Sequence, residues 1–320
     1  MKLPNHLIEA ELKQFDTLFQ QAVRSDAPLL DRIMRYVVKR KGKQIRPMFV
    51  LLCAKLCGSI NEKTYRAASL VEILHTATLV HDDVVDDSLE RRGFFSTYAL
   101  WKAKANVLIG DYLLAKGLLL SLDNGDHRTL QILSDAVRKM SEGELLQLEK
   151  ARSLNLQESI YFDIIRNKTA SLLASACAAG AWSATEDETQ TEQLRFFGET
   201  TGMAFQIKDD LFDYTQESIG KPTGNDIKEK KLSLPLIYAL QQAEKSVRRK
   251  MIYILKNENT QRDRVDWVIH TVKEYGGIQY ATDKMNTFKA QAIDQLHLFP
   301  DGPVRQGLED MVRFVTERKF

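Results

Sequence analysis

The sequence has 320 residues, 44% hydrophobic and 28% charged, with 45 Lys and Arg against 43 Asp and Glu. This is ample apolar material for a large core, which excludes a generally disordered chain. A net charge of +2 argues against a general nucleic-acid binder, so anion binding must come from local clusters. The length allows two domains or one large one. No Gly/Ser/Pro-rich spacer or fixed-period repeat divides the chain, so a single domain over residues 1–320 is expected.

The N-terminal stretch MKLPNHLIEAELKQF has no apolar core of signal-peptide type. No uncharged apolar run approaches the roughly 18 residues of a membrane span. Cys53, Cys57 and Cys177 are too few for a disulfide scaffold and read as small core residues. A cytoplasmic protein is expected. No proline falls between Pro47 and Pro222, nor between Pro235 and Pro300. Proline costs roughly 3 kcal/mol inside a helix, so these tracts permit long helices. Ala67, Leu70, Val71, Leu74 and Ala77 carry the i, i+3, i+4 spacing of a buried helix, and 107–122 and 168–182 read the same way. Loops are expected at Asn124–Asp126, Thr185–Glu192, Ile219–Lys231 and Asn257–Arg262. Strand patterns are scarce. The predicted fold is all-α, one bundle of long helices.

Two acidic clusters stand out: Asp82, Asp83 and Asp86, then Asp209, Asp210 and Asp213, each a D-D-x-x-D. On a helix, Asp82 and Asp86 share a face, as do Asp209 and Asp213. Like charges at that spacing cost about 0.2–0.5 kcal/mol per pair. A single such cluster would read most simply as a solvated helix face. Two copies, each in an apolar helix, instead suggest carboxylates facing across a cavity and holding Mg²⁺ and a diphosphate.

Basic residues accompany both clusters. Lys43 and Arg46 stand before a helix near Pro47, Arg91 and Arg92 follow the first cluster, and Lys221 and Lys231 follow the second. Arg offers forked contacts to phosphate and Lys a point charge. Lys168 and Thr169 are expected to open a helix, whose free N–H groups would add to an anion site. His75 lies two turns before Asp82, and Gln206 one turn before Asp210; a buried core histidine and a buried amide are the plainer readings.

These residues resemble the all-trans isoprenyl diphosphate synthases, the polyprenyl synthetases. The matches run through Gly42–Pro47, His81–Gly93, Gly110–Leu113, Lys168-Thr169, Gln206–Tyr214 and Gly224–Pro235. The resemblance implies a helical bundle around a deep central cavity, usually a homodimer. It implies condensation of an allylic diphosphate (farnesyl or geranylgeranyl) with isopentenyl diphosphate by ionisation, condensation and elimination. It places Mg²⁺ on Asp82, Asp83, Asp86, Asp209, Asp210 and Asp213. By the same resemblance Lys43, Arg46, His75 and Arg92 meet isopentenyl diphosphate. Arg91, Lys168, Thr169, Gln206, Lys221 and Lys231 meet the allylic diphosphate. Lys41 and Lys230 stand where the family often has glycine, and Phe94-Phe95-Ser96 where it often has proline, without loss of a charged ligand.

In short-chain members of the family, bulky residues four and five positions before the first motif block the growing chain. Here those positions are Thr78 and Ala77, about 6–7 Å along the helix from Asp82, and their small side chains predict a product of about C30–C40. Leu74, or Leu118, Leu119 and Leu122 on the next helix, are the expected floor. The alternatives are a C20 geranylgeranyl diphosphate synthase, a subunit of a heteromeric synthase inactive alone, and a cyclase. Both intact motifs, with Lys43 and Arg46, count against the last two. Peripheral membrane contact for product release is compatible with a long product.

Overall fold

A computed structural model of the chain describes residues 3–39, 42–91, 93–153, 157–214 and 224–317. The chain is helical almost throughout. Helices α1 (Glu9–Ala22) and α2 (Pro28–Lys39) lead into α3 (Ile45–Cys57) and α4 (Glu62–Val85). A small antiparallel hairpin, β1 (Glu90–Arg91) and β2 (Phe94–Phe95), was not expected from the sequence. Then come α5 (Thr97–Leu122), α6 (His127–Ser153), α7 (Glu158–Ile165), a π-helical turn (Arg166–Ala170), α8 (Ser171–Thr185) and α9 (Glu188–Phe212). The C-terminal part holds α10 (Asn225–Lys228), α11 (Leu234–Gln242), α12 (Lys245–Tyr253), α13 (Arg262–Glu274), α14 (Gly277–Leu296) and α15 (Pro303–Glu317).

The central helices are built to be buried. Asn61 caps α4 with a reciprocal pair: its side chain accepts from Thr64 N (3.1 Å), and its own N–H donates to Thr64 Oγ1 (3.2 Å). All five apolar positions read from the α4 periodicity are buried. Helix α8 is buried along nearly its whole length, and α9 packs tightly against it. Contact is possible because Gly198 and Gly202 face α8 and the preceding turn: a Cβ on Gly202 would lie 2.6 Å from Ala170 Cα. The main core joins α3, α4, α8 and α9, with Phe49 and Phe197 rings 6.0 Å apart. A second core gathers Tyr214, Leu236, Met251 and Val268, and a third gathers Tyr161, Ile165, Met203 and Leu211.

Three sequence expectations change. Asp187 caps α9 by accepting from Gln190 N at 2.9 Å, so the loop expected over Thr185–Glu192 shrinks to the residues before Glu188. Lys168 and Thr169 do not open a helix. They sit in the π turn, flanked on both sides by αR backbone, so the N–H groups there are already spent. And α5 is, by length and composition, apolar enough to cross a membrane, because its second half carries only Asp111 and Lys116 as charges. Its inner face packs on α4, while Val107, Leu108, Leu118, Leu119 and Leu122 stay 45–69% exposed.

Candidate active site

Both acidic motifs fall at helix C-termini. Asp82 and Asp83 lie in the last turn of α4, with Asp86 as its C-cap; Asp209 and Asp210 lie in the last turn of α9, with Asp213 as its C-cap. A helix C-terminus already carries partial negative charge, so carboxylates there are costly until a cation arrives. This explains why charges unfavourable for the helices stand in otherwise apolar elements.

Beside the end of α9 is a cavity of about 390 Å³. Asp209, Asp210, Asp213 and Asp226 line it with Lys168 and Lys231, against an apolar wall of Ile164, Ile165, Phe212 and Leu232. Tyr161, Lys168 and Thr169 reach it from one face of the run α7–π turn, at helical spacing. A hydrogen-bonded chain crosses its wall. Thr169 Oγ1 donates to Gln206 Oε1 (2.8 Å), Gln206 Nε2 donates to Asp210 Oδ1 (3.0 Å), and Tyr161 OH donates to Asp210 Oδ2 (2.7 Å). Asp213 accepts the backbone N–H groups of Asn225 (2.8 Å) and Asp226 (3.0 Å), pinning the segment that begins α10.

The first motif is brought to this cavity by the lysines rather than by lining it. Burial raises the Asp82 pKa, and Lys168 is the strongest charge acting against that rise. Lys168 is ion-paired with Glu144 and donates to Gln147 Oε1 at 3.4 Å. Lys231, paired with Glu229 at 2.5 Å, is held charged by Asp226 and by Asp86 of the first motif. Asp83 is turned away: it is 3% exposed, and Arg91 Nε donates to its Oδ1 at 2.7 Å. Burial, followed by the charge of Asp209, lifts Asp210 to about 6 against its two side-chain hydrogen bonds. Burial together with Asp210 and Asp213 lifts Asp226 to about 8.

Other expected residues lie outside the lining of this cavity. His75 is buried on α4, Arg46 lies in the first turn of α3, and exposed Lys43 sets its Nζ 4.9 Å from the Phe314 ring centroid of α15. None of the three lines the 390 Å³ cavity. Arg92 and Lys221 lie outside the described residues. Leu74 and Ala77 are buried, and half-buried Thr78 donates from Oγ1 to His75 O at 2.9 Å. Leu118, Leu119 and Leu122 do not form a floor within the chain. Gly117 is the residue turned toward Leu70 and Leu74, and the neighbouring leucines are rotated outward. Tyr161, Glu144 and Gln147 escaped the sequence reading. Asp226 falls inside the loop expected over Ile219–Lys231. A buried tyrosine looks like core, and no spacing signal links α6 or α10 to the motifs.

The donor set fits a hard divalent cation. The buried carboxylates raise one another's pKa, and a cation would relieve that repulsion. Among the described residues no three Asp, Glu, His or Cys side chains converge on one point. A divalent cation there would need water or phosphate oxygens to complete its coordination.

The fold and the site together define an all-helical enzyme with two acidic helix ends set toward one lysine-flanked cavity. The family model described as Polyprenyl synthetase matches residues 27–272. The chain is 34% identical over 97% of its length to an all-trans-nonaprenyl-diphosphate synthase (geranyl-diphosphate specific) of Rhodobacter capsulatus, covering 96% of that protein. A solved decaprenyl diphosphate synthase from Rhodobacter capsulatus superposes with a TM-score of 0.93 at 34% identity, covering 99% of this chain and 98% of that one. A geranylgeranyl pyrophosphate synthase from Bacteroides thetaiotaomicron gives 0.84 at 38% identity, covering 98% of each. The chain belongs to the polyprenyl synthetase family and is a prenyltransferase that elongates prenyl diphosphates.

Proposed function

We propose that the chain is a Mg²⁺-dependent synthase that joins isopentenyl diphosphate to farnesyl or geranylgeranyl diphosphate, giving an all-trans product of about C30–C40 for the helical-spacing reason given above. The observation that carries the metal-diphosphate reading is that the acidic end of α4 feels the charge of two lysines lining the cavity at the acidic end of α9: Lys168 acts on Asp82, and Asp86 acts on Lys231. In this reading Lys168, Lys231 and Arg91 hold the allylic diphosphate, with Thr169 and Gln206 orienting its oxygens. Lys43, Arg46 and His75 hold isopentenyl diphosphate. When bound, Mg²⁺ would offset negative charge developing on the departing diphosphate. The allylic C1–O bond breaks, the isopentenyl double bond attacks C1, and a proton from the isopentenyl C2 passes to the released diphosphate. Ile164, Ile165, Phe212 and Leu232 keep water from the allylic cation.

Small residues at 77 and 78 support the long product, as do the nonaprenyl and decaprenyl relatives; the geranylgeranyl relative keeps a C20 product as the rival outcome. The exposed apolar face of α5 supports a homodimer, since contiguous apolar surface of that kind marks interfaces. The described cysteines are all free, which supports a cytoplasmic location. The test is a product assay with labelled isopentenyl diphosphate, farnesyl diphosphate and Mg²⁺. Products of C30 or longer support the reading. A stop at C20 replaces the chain-length part, and no extension with any allylic starter points to a missing subunit.

A further inference from the structure

Tyr161 is a buried polar group at the site that the proposed chemistry leaves without a role. It stands on α7, 3% exposed, with its ring in the apolar cluster of Ile165, Met203 and Leu211. Its ring packs edge-on against Phe162 (5.4 Å), which packs on Phe288 (5.8 Å). The hydroxyl therefore has little freedom to swing, and it points at Asp210 Oδ2 from 2.7 Å. Burial, then the charge and hydrogen bond of Asp210, keep the phenol protonated, so it remains a donor.

Asp210 consequently accepts from protein donors on both oxygens: Tyr161 on Oδ2 and Gln206 on Oδ1. A carboxylate so engaged keeps a lone pair on each oxygen but has its orientation fixed. It is well placed to fix the last turn of α9, where its neighbour Asp209 meets the cavity. We infer that Tyr161 is a positioning residue of the metal site, acting through Asp210 to set divalent-cation affinity. Outer groups that hydrogen-bond to the residues of a metal site commonly change metal affinity about 10–100-fold when removed. A merely structural tyrosine would contribute to folding stability and leave cation affinity alone.

The inference rests on the proposed metal reading, and the experiment separates the two. Mn²⁺ binding would be followed by electron paramagnetic resonance of free Mn²⁺, with inorganic diphosphate present, for the wild type, Asp82→Ala and Tyr161→Phe. The wild type is expected to bind and Asp82→Ala to bind weakly. Tyr161→Phe is expected to bind about tenfold less tightly, with kcat returning to within about threefold of wild type at saturating Mg²⁺ and diphosphate KM values unchanged there. No Mn²⁺ binding by the wild type would overturn the metal reading and this inference with it. Wild-type binding with an unaltered Tyr161→Phe affinity, or a kcat loss that saturating Mg²⁺ does not recover, would overturn the inference alone. Should Tyr161→Phe not fold, 3-fluorotyrosine at 161 keeps the ring and strengthens the donor. Mn²⁺ binding should then tighten, and unchanged binding would count against the inference.

Discussion

The two acidic helix ends share a motif and differ in how the protein treats it. At the end of α9, both Asp210 oxygens accept side-chain hydrogen bonds, and Asp213 caps the next segment. At the end of α4, Asp83 is tied to Arg91 of the hairpin, while exposed Asp86 and half-buried Asp82 answer to lysines on other elements. One end is built into the wall and the other faces it. The lesson is that D-D-x-x-D does not specify three equivalent ligands. In each motif the packing of neighbouring elements takes some of the carboxylates for structure.

The largest expected effect tests the open end. Asp82→Ala should lower kcat by about 10³-fold, in the range found when a charge-stabilising group is lost, whereas Asp83→Ala should lower it far less. Equal losses in steady-state assays would erase the distinction between them. Lys168→Ala should cost about 2–3 kcal/mol of transition-state stabilisation as a lost charged contact, or roughly 30–150-fold in kcat/KM for the allylic substrate. An effect confined to isopentenyl diphosphate would move Lys168 to the other substrate.

The built-in end should show itself in pH dependence. The folded pKa values of Asp210 (about 6) and Asp226 (about 8) lie above ordinary unfolded values near 4. The folded state thus binds more protons than the unfolded state in this window, and metal-free stability should fall as pH rises from 4 toward 8. The loss is read as a falling midpoint in denaturant. Mg²⁺ with inorganic diphosphate should restore more stability at pH 8 than at pH 5.5. A flat pH profile would show that the second end is not strained. Ala77→Phe, on the helix carrying the open end, should shorten the product with a change in kcat under about tenfold, a one-residue steric effect checked by chromatography. The smallest catalytic effect is expected of Leu118→Glu and Leu119→Glu on α5, which should shift the sedimentation coefficient toward a single chain. An unchanged coefficient would remove that face from the interface.

The all-helical fold was legible because buried helices leave a periodic apolar record, and Ala67 through Ala77 carry it without interruption. The acidic motifs were legible because charges at i and i+4 are unfavourable without a purpose. Less legible were features that depend on which elements meet. Tyr161 looks like any core aromatic until α7 is laid beside α9, and Leu118 and Leu119 looked like a floor until Gly117 took the inward position. Hydrogen-bond caps were visible only in part: Asp187 shortened one expected loop, and continuous helical backbone removed the helix start expected at Lys168.

The sequence by itself determined the helical class, the two clusters of carboxylates and their cationic company, because these are set by local spacing and charge. Tertiary structure alone decided which carboxylates are spent on Arg91, on Tyr161 and Gln206, and on the α10 backbone, and which face Lys168 and Lys231. Those pairings join elements far apart in the chain, and their energies depend on burial that no local pattern records.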